Sequence, residues 1–252
     1  MEILGIDIGG TGIKGAPVNP NTGRLRKERL RLLTPNPATP AKVAKLVQEM
    51  AQHFAWQGAI GIGFPGVVQN GKVLTAANLD KAWVGKHAES LFREATGCAV
   101  TVINDADAAG LAEMRFGAGR GHSGKVLLLT LGTGIGSALF VNGKLVSNTE
   151  FGHVQIRGKA AERRASDQVR VRKKLSWKKW AMRVQEYLDY MSLLLSPDLV
   201  ILGGGAVKDY KKFAKYLKLA AVIKPAESGN LAGIVGAALA VQAASKNRRP
   251  PR

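Results

Sequence analysis

Residues 2–18 read EILGIDIGGTGIKGAPV: an apolar run, a glycine turn and a second apolar run. Two apolar segments around a short glycine-rich turn predict a β-hairpin. KVLLLTLGTGIGSALFV (125–141) repeats the shape in the second half of the chain. Two copies of one strand–turn–strand unit predict two related α/β halves, each opening with a hairpin whose turn presents backbone N–H groups. In the first copy a carboxylate, Asp7, ends the strand. Glycines that let the backbone approach a phosphate follow it, then a hydroxyl at Thr11 and a cation at Lys14. One glycine turn serves a hairpin for steric reasons alone; two of them, one behind a D-x-G-G-T strand end, point to phosphate.

Outward from these hairpins, AIGIGFPG (59–66) and CAVTVIN (98–104) read as strands, the second running into a helix at Asp105. Thr39-Pro40 starts a helix whose Val43, Leu46, Val47, Met50, Ala51 and Phe54 keep helical spacing. Ser176 caps another, with Trp177, Trp180, Ala181, Val184, Leu188, Met191 and Leu195 on its apolar stripe and a stop before Pro197. DLVILGGGA (198–206) reads as a buried strand and glycine loop leading into a helix. The core stripe of that helix is Tyr210, Phe213, Ala214 and Leu217, and Lys208, Lys211, Lys212, Lys215 and Lys218 form one row beside it. NLAGIVGAALAVQAA (230–244) is a small-residue helix suited to close packing, while 155–172 shows little periodicity and predicts a mobile basic loop or frayed helix.

The chain has 252 residues, of which 46% are hydrophobic, with 37 Lys+Arg against 18 Asp+Glu and a net charge of +19. The apolar share suffices for a core, so a folded basic protein is expected and not a disordered basic tail. The charge is concentrated: 157–183 hold eleven Lys/Arg against Glu162 and Asp167, 208–218 hold five lysines against Asp209, and the tail KNRRPPR holds four cations. These segments account for nearly all of the excess, which argues for a directed surface for a polyanion such as nucleic acid, anionic membrane or polyphosphate. The plainer alternative is a solvated face with a disordered tail. The single cysteine, Cys98, excludes an intrachain disulfide and a Cys-rich zinc site, and a reducing cytoplasmic compartment is the expectation. No segment approaches the roughly 18 apolar residues of a membrane span, and MEILGIDIGG is not a secretory leader, so a soluble, unprocessed protein without a membrane partner is expected.

In this order, DIGGTGIKG (7–15), GFPGVV (63–68), NDADAAG (104–110), LGTGIGSALF (131–140), TEFGH (149–153) and LVILGGG (199–205) resemble the ROK-type sugar kinases of the hexokinase–actin-like superfamily, over nearly the whole chain. The resemblance implies an α/β, two-lobed, actin-like or hexokinase-like (ribonuclease H-like) fold with a sugar cleft between lobes. It implies an N-terminal lobe over 1–104, a C-terminal lobe over 105–229, a helix at about 230–245 returning to the first lobe, and a basic tail at 246–252. NLDKAW (78–83), NDADAAG and AGIVGAA (232–238) are most similar to the polyphosphate-using glucokinases within the family. Implied with them are phosphoryl transfer from inorganic polyphosphate to the 6-hydroxyl of glucose, Mg²⁺ as cofactor and a homodimer.

Residue by residue, the resemblance makes Asp105 the general base and carries sugar binding onto Asn78, Asn104, Asp105, Glu150 and His153, and more weakly Glu162. Phosphate binding falls on Gly9, Gly10, Thr11, Lys14, Gly132, Thr133 and Gly134, and Mg²⁺ on Asp7. Phosphoryl transfer needs a positioned hydroxyl, cations and backbone donors around the phosphoryl oxygens, and an acceptor for one proton; these residue types supply them. Asp107 reads as a helix-start residue. His153 outside its motif reads as a buried, satisfied histidine, and Glu162 as a salt-bridge partner of Arg163 or Arg164. Two departures stand out. TEFGH replaces the common E-L-G-H, and the Cys-rich zinc loop that often follows it is replaced here by the basic stretch 157–174, so no zinc is expected. A polyphosphate path is expected along that stretch and the lysine row: Lys159, Arg163, Arg164, Lys173, Lys174, Lys208, Lys211, Lys212 and Lys215. The alternatives are an ATP-dependent hexokinase with an incidentally basic surface, and a nucleic-acid-binding regulator. The latter needs an added helix-turn-helix, for which a phosphate motif beginning at Asp7 leaves no room; no specific nucleic acid is therefore expected.

Overall fold

The computed structural model describes residues 2–76 and 79–247, so the candidate Asn78 and the tail arginines lie outside the described residues. The chain forms two compact units, 1–112 with 230–252, and 113–229.

The first unit opens as the repeat predicts. Strand β1 (Ile3–Ile8) turns through the glycines into β2 (Ile13–Val18), paired antiparallel, and β3 (Leu30–Leu32) extends the edge. Helix α1 (Pro40–His53) follows with Pro40 in its first turn, then β4 (Ile60–Phe64), a small hairpin of β5 (Val68–Gln69) and β6 (Lys72–Val73), α2 (Ala88–Thr96) and β7 (Val100–Asn104). The sheet order is β3-β2-β1-β4-β7, with β1, β4 and β7 parallel. Trp83 is fully buried beside Phe64 and Phe92, its indole N–H donating to Ala38 O at 3.0 Å, which gives the NLDKAW segment a core anchor. Helix α3 (Asp105–Phe116) begins directly at the end of β7, and the division between the units falls within it.

The second unit repeats the topology. β8 (Lys125–Leu131), β9 (Ile135–Val141) and β10 (Lys144–Val146) form an antiparallel meander. β13 (Leu199–Gly203) and β14 (Val222–Pro225) complete the order β10-β9-β8-β13-β14, once the intervening β11 (Gln155–Ile156), β12 (Lys159–Ala160), α4 (Glu162–Ala165), α5 (Asp167–Arg172) and α6 (Trp177–Leu195) have been counted. Ser176 caps α6 by accepting from Lys179 N at 3.3 Å, as its position predicts.

Two expectations are corrected here. The stretch 155–172 is neither loop nor frayed helix: it is the β11–β12 hairpin followed by α4 and α5. Ala161, Ala165 and Val169, an apolar i, i+4, i+8 series hidden among cations, are buried. The buried indole of Trp180 donates to Ala165 O and Ser166 O at 3.0 and 3.2 Å. Leaving that donor unpaired would cost about 1–3 kcal/mol, so the contact selects the ordered form. The lysine row also fails as one helix. After β13 the chain makes a 3-10 segment (Gly205–Asp209), the single turn α7 (Tyr210–Phe213) and another 3-10 segment (Ala214–Tyr216). Phe213 is packed among Trp177, Trp180 and Tyr210 with ring centroids 4.9–5.9 Å apart. Lys218 N is held by Gln185 Oε1 at 2.7 Å. Aromatic packing and this clamp tighten the segment beyond α geometry. All five lysines are exposed, but they are spread over short pieces and do not form one helical row.

The chain then returns to the first unit as α8 (Ala232–Asn247). It packs against β1, β4 and β7. The approach is closer than side chains allow elsewhere: a Cβ on Gly5 would strike Ile234 O, and one on Gly61 would strike Ala237 O. Glycines in the strands and small residues in the helix are the two sides of one packing requirement.

Candidate functional site

In the first unit, Asp7 lies at the C-terminal end of β1 and Asp105 just past the end of β7, with β4 between. Two strand spacings place them roughly 10 Å apart at the carboxyl ends of parallel strands. Asp7 is opposite Lys14 in the β1–β2 register, with Nζ 3.6 Å from Oδ2. Burial raises the Asp7 pKa above the usual carboxylate range, against the opposing pull of Lys14 and then Arg29. Gly233, in the first turn of α8, abuts this carboxylate: a Cβ there would sit 2.7 Å from Asp7 Cγ. The turn is closed by Gly9 N donating to Gly12 O at 3.1 Å, and Gly10 and Thr11 face solvent.

Asp105 is the first residue of α3. Asn104 is its cap: Oδ1 accepts from Ala106 N at 2.9 Å and Asp107 N at 3.1 Å, and Nδ2 donates to Gly66 O at 3.2 Å. At 5% exposure Asn104 fixes the direction in which Asp105 leaves the strand. The cap acceptor is therefore Asn104, while Asp107 is buried within the first turn.

In the second unit, the Gly132–Gly134 turn is closed by a 3.0 Å backbone bond, and Gln168 N of α5 donates to Gly132 O at 3.1 Å, so the basic segment is tied to the glycine turn. TEFGH forms a 3-10 turn over Phe151–His153. Ser137 on β9 holds it, accepting from Phe151 N at 3.0 Å and donating to Thr149 O at 2.5 Å. Phe151 is half-buried against the second core, so Phe for Leu leaves the polar positions in place. His153 is 55% exposed and not a buried core histidine; it stands between two carboxylates, Nε2 3.7 Å from Glu150 Oε2 and Nδ1 3.8 Å from Glu162 Oε1. Glu162, which lies over Gly134, is not paired with Arg163 or Arg164. Burial raises the Glu150 pKa; His153 lowers it and Glu162 raises it further, both by smaller amounts.

His153 and Glu162 line a pocket of about 840 Å³ together with Lys159, Arg163, Arg172 and Lys173. Three of the expected polyphosphate cations thus converge beside two of the expected sugar residues. Arg172, which no motif signals, joins them. Arg164 points elsewhere, into an ion pair with Glu186 at 2.6 Å, and Lys212 pairs with Asp209 at 2.8 Å. Lys208, Lys211 and Lys215 are exposed along the 205–216 segments, and Lys174 is exposed with a left-handed backbone. Among the described residues no group of three His, Cys, Asp or Glu side chains is gathered that could hold a metal by itself. None of the described helices is long and apolar enough to cross a membrane.

The ROK family model matches residues 3–166. The polyphosphate glucokinase of Mycobacterium tuberculosis is 49% identical over 238 residues, covering 94% of this chain and 90% of that protein. The crystal structure of the inorganic polyphosphate/ATP-glucomannokinase of Arthrobacter sp. strain KM matches with a TM-score of 0.90 at 46% identity, covering 97% of this chain and 99% of the other. The ROK family glucokinase of Streptomyces griseus, solved with glucose and AMPPNP, matches with a TM-score of 0.81 at 26% identity, over 94% and 98% of the two chains.

Proposed function

We infer from the premise that this chain belongs to the ROK family that it is a kinase transferring the terminal phosphoryl group of inorganic polyphosphate to the 6-hydroxyl of glucose. Beside the family likeness, one observation carries the choice of donor: the pocket that gathers His153 and Glu162 also gathers four cations, more than the two or three that a nucleotide triphosphate requires. In the reaction Asp105 accepts the proton of the 6-hydroxyl, the hydroxyl oxygen bonds to the terminal phosphorus, and the bridging P–O bond breaks. The polyphosphate leaves one unit shorter. Asn104 aims Asp105 and, with Asn78, Glu150, His153 and Glu162, contacts the sugar hydroxyls. Backbone donors of the Gly9–Thr11 and Gly132–Gly134 turns, together with Lys14, receive phosphoryl oxygens. Lys159, Arg163 and Lys173, with the exposed Lys208, Lys211 and Lys215, hold the rest of the donor chain.

Asp7 would hold a Mg²⁺, since one carboxylate at a glycine turn is a donor set such an ion takes from protein. When bound, that ion neutralises charge on the phosphoryl oxygens. The reading extends to a homodimer in the cytoplasm. The exposed Met182, Leu193 and Leu194 of α6 are apolar surface that a second copy would cover, and the buried Cys98 suits a reducing compartment.

The deciding experiment is glucose phosphorylation with polyphosphate and ATP side by side across ionic strength. Polyphosphate supports turnover, with a Michaelis constant that rises steeply with salt. Arg163→Gln with Lys173→Gln raises that constant about tenfold or more, as loss of charge-assisted contacts requires, and flattens its salt dependence. Activity with ATP and none with polyphosphate would overturn the donor assignment.

Glu150 sets a pH dependence. Because its folded carboxyl keeps a proton to a higher pH than an ordinary glutamate, the carboxylate that receives a sugar hydroxyl is lost sooner as pH falls. The acid limb of kcat/KM for glucose therefore begins above the usual glutamate range, and Glu150→Gln removes that limb while lowering the plateau. An unchanged limb in the variant would assign the titration to another group.

A further inference from the structure

Strand β3 carries an arginine that no motif names. In the β1–β2 register Asp7 is opposite Lys14, and in the β2–β3 register Lys14 is opposite Arg31. Directly opposed residues of antiparallel strands project to the same face, so Asp7, Lys14 and Arg31 form a row across three strands. Arg29, two residues before Arg31, is close enough to lower the Asp7 pKa by its charge. One carboxylate, acted on by Lys14 and Arg29, therefore shares the first glycine turn with three cations, the third being Arg31 at Gly12. Like charges directly opposite each other are unfavourable in a sheet, and the row's only carboxylate lies 3.6 Å from Lys14. Among the described residues the Arg31 side chain makes no hydrogen bond or ion pair. An anion bound over the row would offset the repulsion.

The turn is shaped to admit the guanidinium. A Cβ on Gly12 would lie 2.9 Å from Arg31 Nε and 3.3 Å from Nη2, so Arg31 reaches over the turn because Gly12 has no side chain. At the other end of the turn Thr34 Oγ1 donates to Gly9 O at 2.5 Å. The segment 31–34 thus brackets the turn at both ends and holds the arginine in place before any ligand arrives. Arg31 itself is exposed. Its planar fork matches two oxygens of one phosphate, which a lysine cannot do.

We propose that Arg31 is a donor-binding residue, its guanidinium taking a phosphate of the condensed-phosphate donor over the Gly9–Gly12 turn with Arg29 adding charge behind it. This rests on the kinase reading above. The test compares Arg31→Gln, Arg31→Lys and, as a control for general surface charge, Lys42→Gln on the exposed side of α1. It measures Michaelis constants for polyphosphate, ATP and glucose, and the thermal shift produced by tripolyphosphate alone.

Arg31→Gln raises the Michaelis constant for both donors about tenfold, leaves that for glucose unchanged and removes most of the tripolyphosphate shift. Arg31→Lys recovers part of both, and Lys42→Gln changes neither. Donor constants and tripolyphosphate shift within twofold of the parent in Arg31→Gln would overturn the assignment. A parent protein that phosphorylates glucose with no condensed phosphate would overturn the kinase reading instead, and the tripolyphosphate shift would still decide for or against Arg31.

Discussion

Asp105→Asn lowers kcat for glucose phosphorylation by about 10²- to 10⁴-fold while leaving the Michaelis constant for glucose within a few-fold of the parent value. The span is that of a positioned general base. Asparagine has the shape of aspartate, and its carbonyl oxygen can still accept from Ala106 N, as Asp105 Oδ1 does at 2.8 Å. The helix start is held independently by the Asn104 cap. Removing one negative charge from the first turn costs about 0.3–1 kcal/mol in helix-dipole interaction, too little to unfold the unit. What asparagine cannot do is take the proton of the 6-hydroxyl. Steady-state kinetics with a thermal melt and a glucose titration of the variant separate these effects. A variant retaining more than about a tenth of parental kcat would remove Asp105 from the role of base.

Gly233→Ala is the second large effect, and it is far larger in activity than in stability. Alanine favours helix over glycine by about 0.8–1.0 kcal/mol, but its Cβ would stand 2.7 Å from Asp7 Cγ and 2.9 Å from Oδ1. Overpacking of this kind costs about 1–3 kcal/mol, so the two terms partly cancel, leaving a net loss of about 0–2 kcal/mol, and the melting temperature falls by a few degrees. Activity does not share in the cancellation, because the clash is relieved by moving the carboxylate opposite Lys14. A displacement of about 1 Å in such a group lowers turnover on the order of 10²-fold. In an Asp7→Ala background the same change adds little, since the group it displaces is already gone. A full further loss in that double variant would show that Gly233→Ala acts elsewhere.

The architecture was legible wherever the signal was local and repeated. The two glycine hairpins announced two units, and both sheets carry the same order of antiparallel meander and parallel strands. The capped helix after Ser176 and the small-residue helix at the C-terminal end follow from periodicity and capping alone. The failures share a cause, which is that distant residues decided the outcome. The segment 155–172 looked disordered because its apolar series is two alanines and a valine among cations. Trp180, up to 25 residues away in sequence, supplies the donor and the packing that fold it. The lysine row after β13 had helical spacing, but Phe213 is drawn into an aromatic cluster with Trp177 and Trp180, and the backbone tightens into 3-10 turns.

The site divides along the same line. Which residue types are proposed to carry the chemistry, an aspartate at a strand end, glycines and a threonine in a turn, a second aspartate at a helix start, a glutamate and a histidine three apart, follows from the sequence by itself, because motif chemistry is local. Only the tertiary structure decided which cations serve the pocket and which serve the fold. Arg163 and Arg164 are adjacent in sequence, yet one lines the pocket beside His153 and the other is held by Glu186. Arg31 sits in a three-residue edge strand with no motif around it, and enters the site through its register with Lys14 and the missing side chain of Gly12. Charge and residue type are properties of the chain; the partner a charge meets depends on strand register and side-chain packing between residues far apart in sequence, and those exist only once the core has formed.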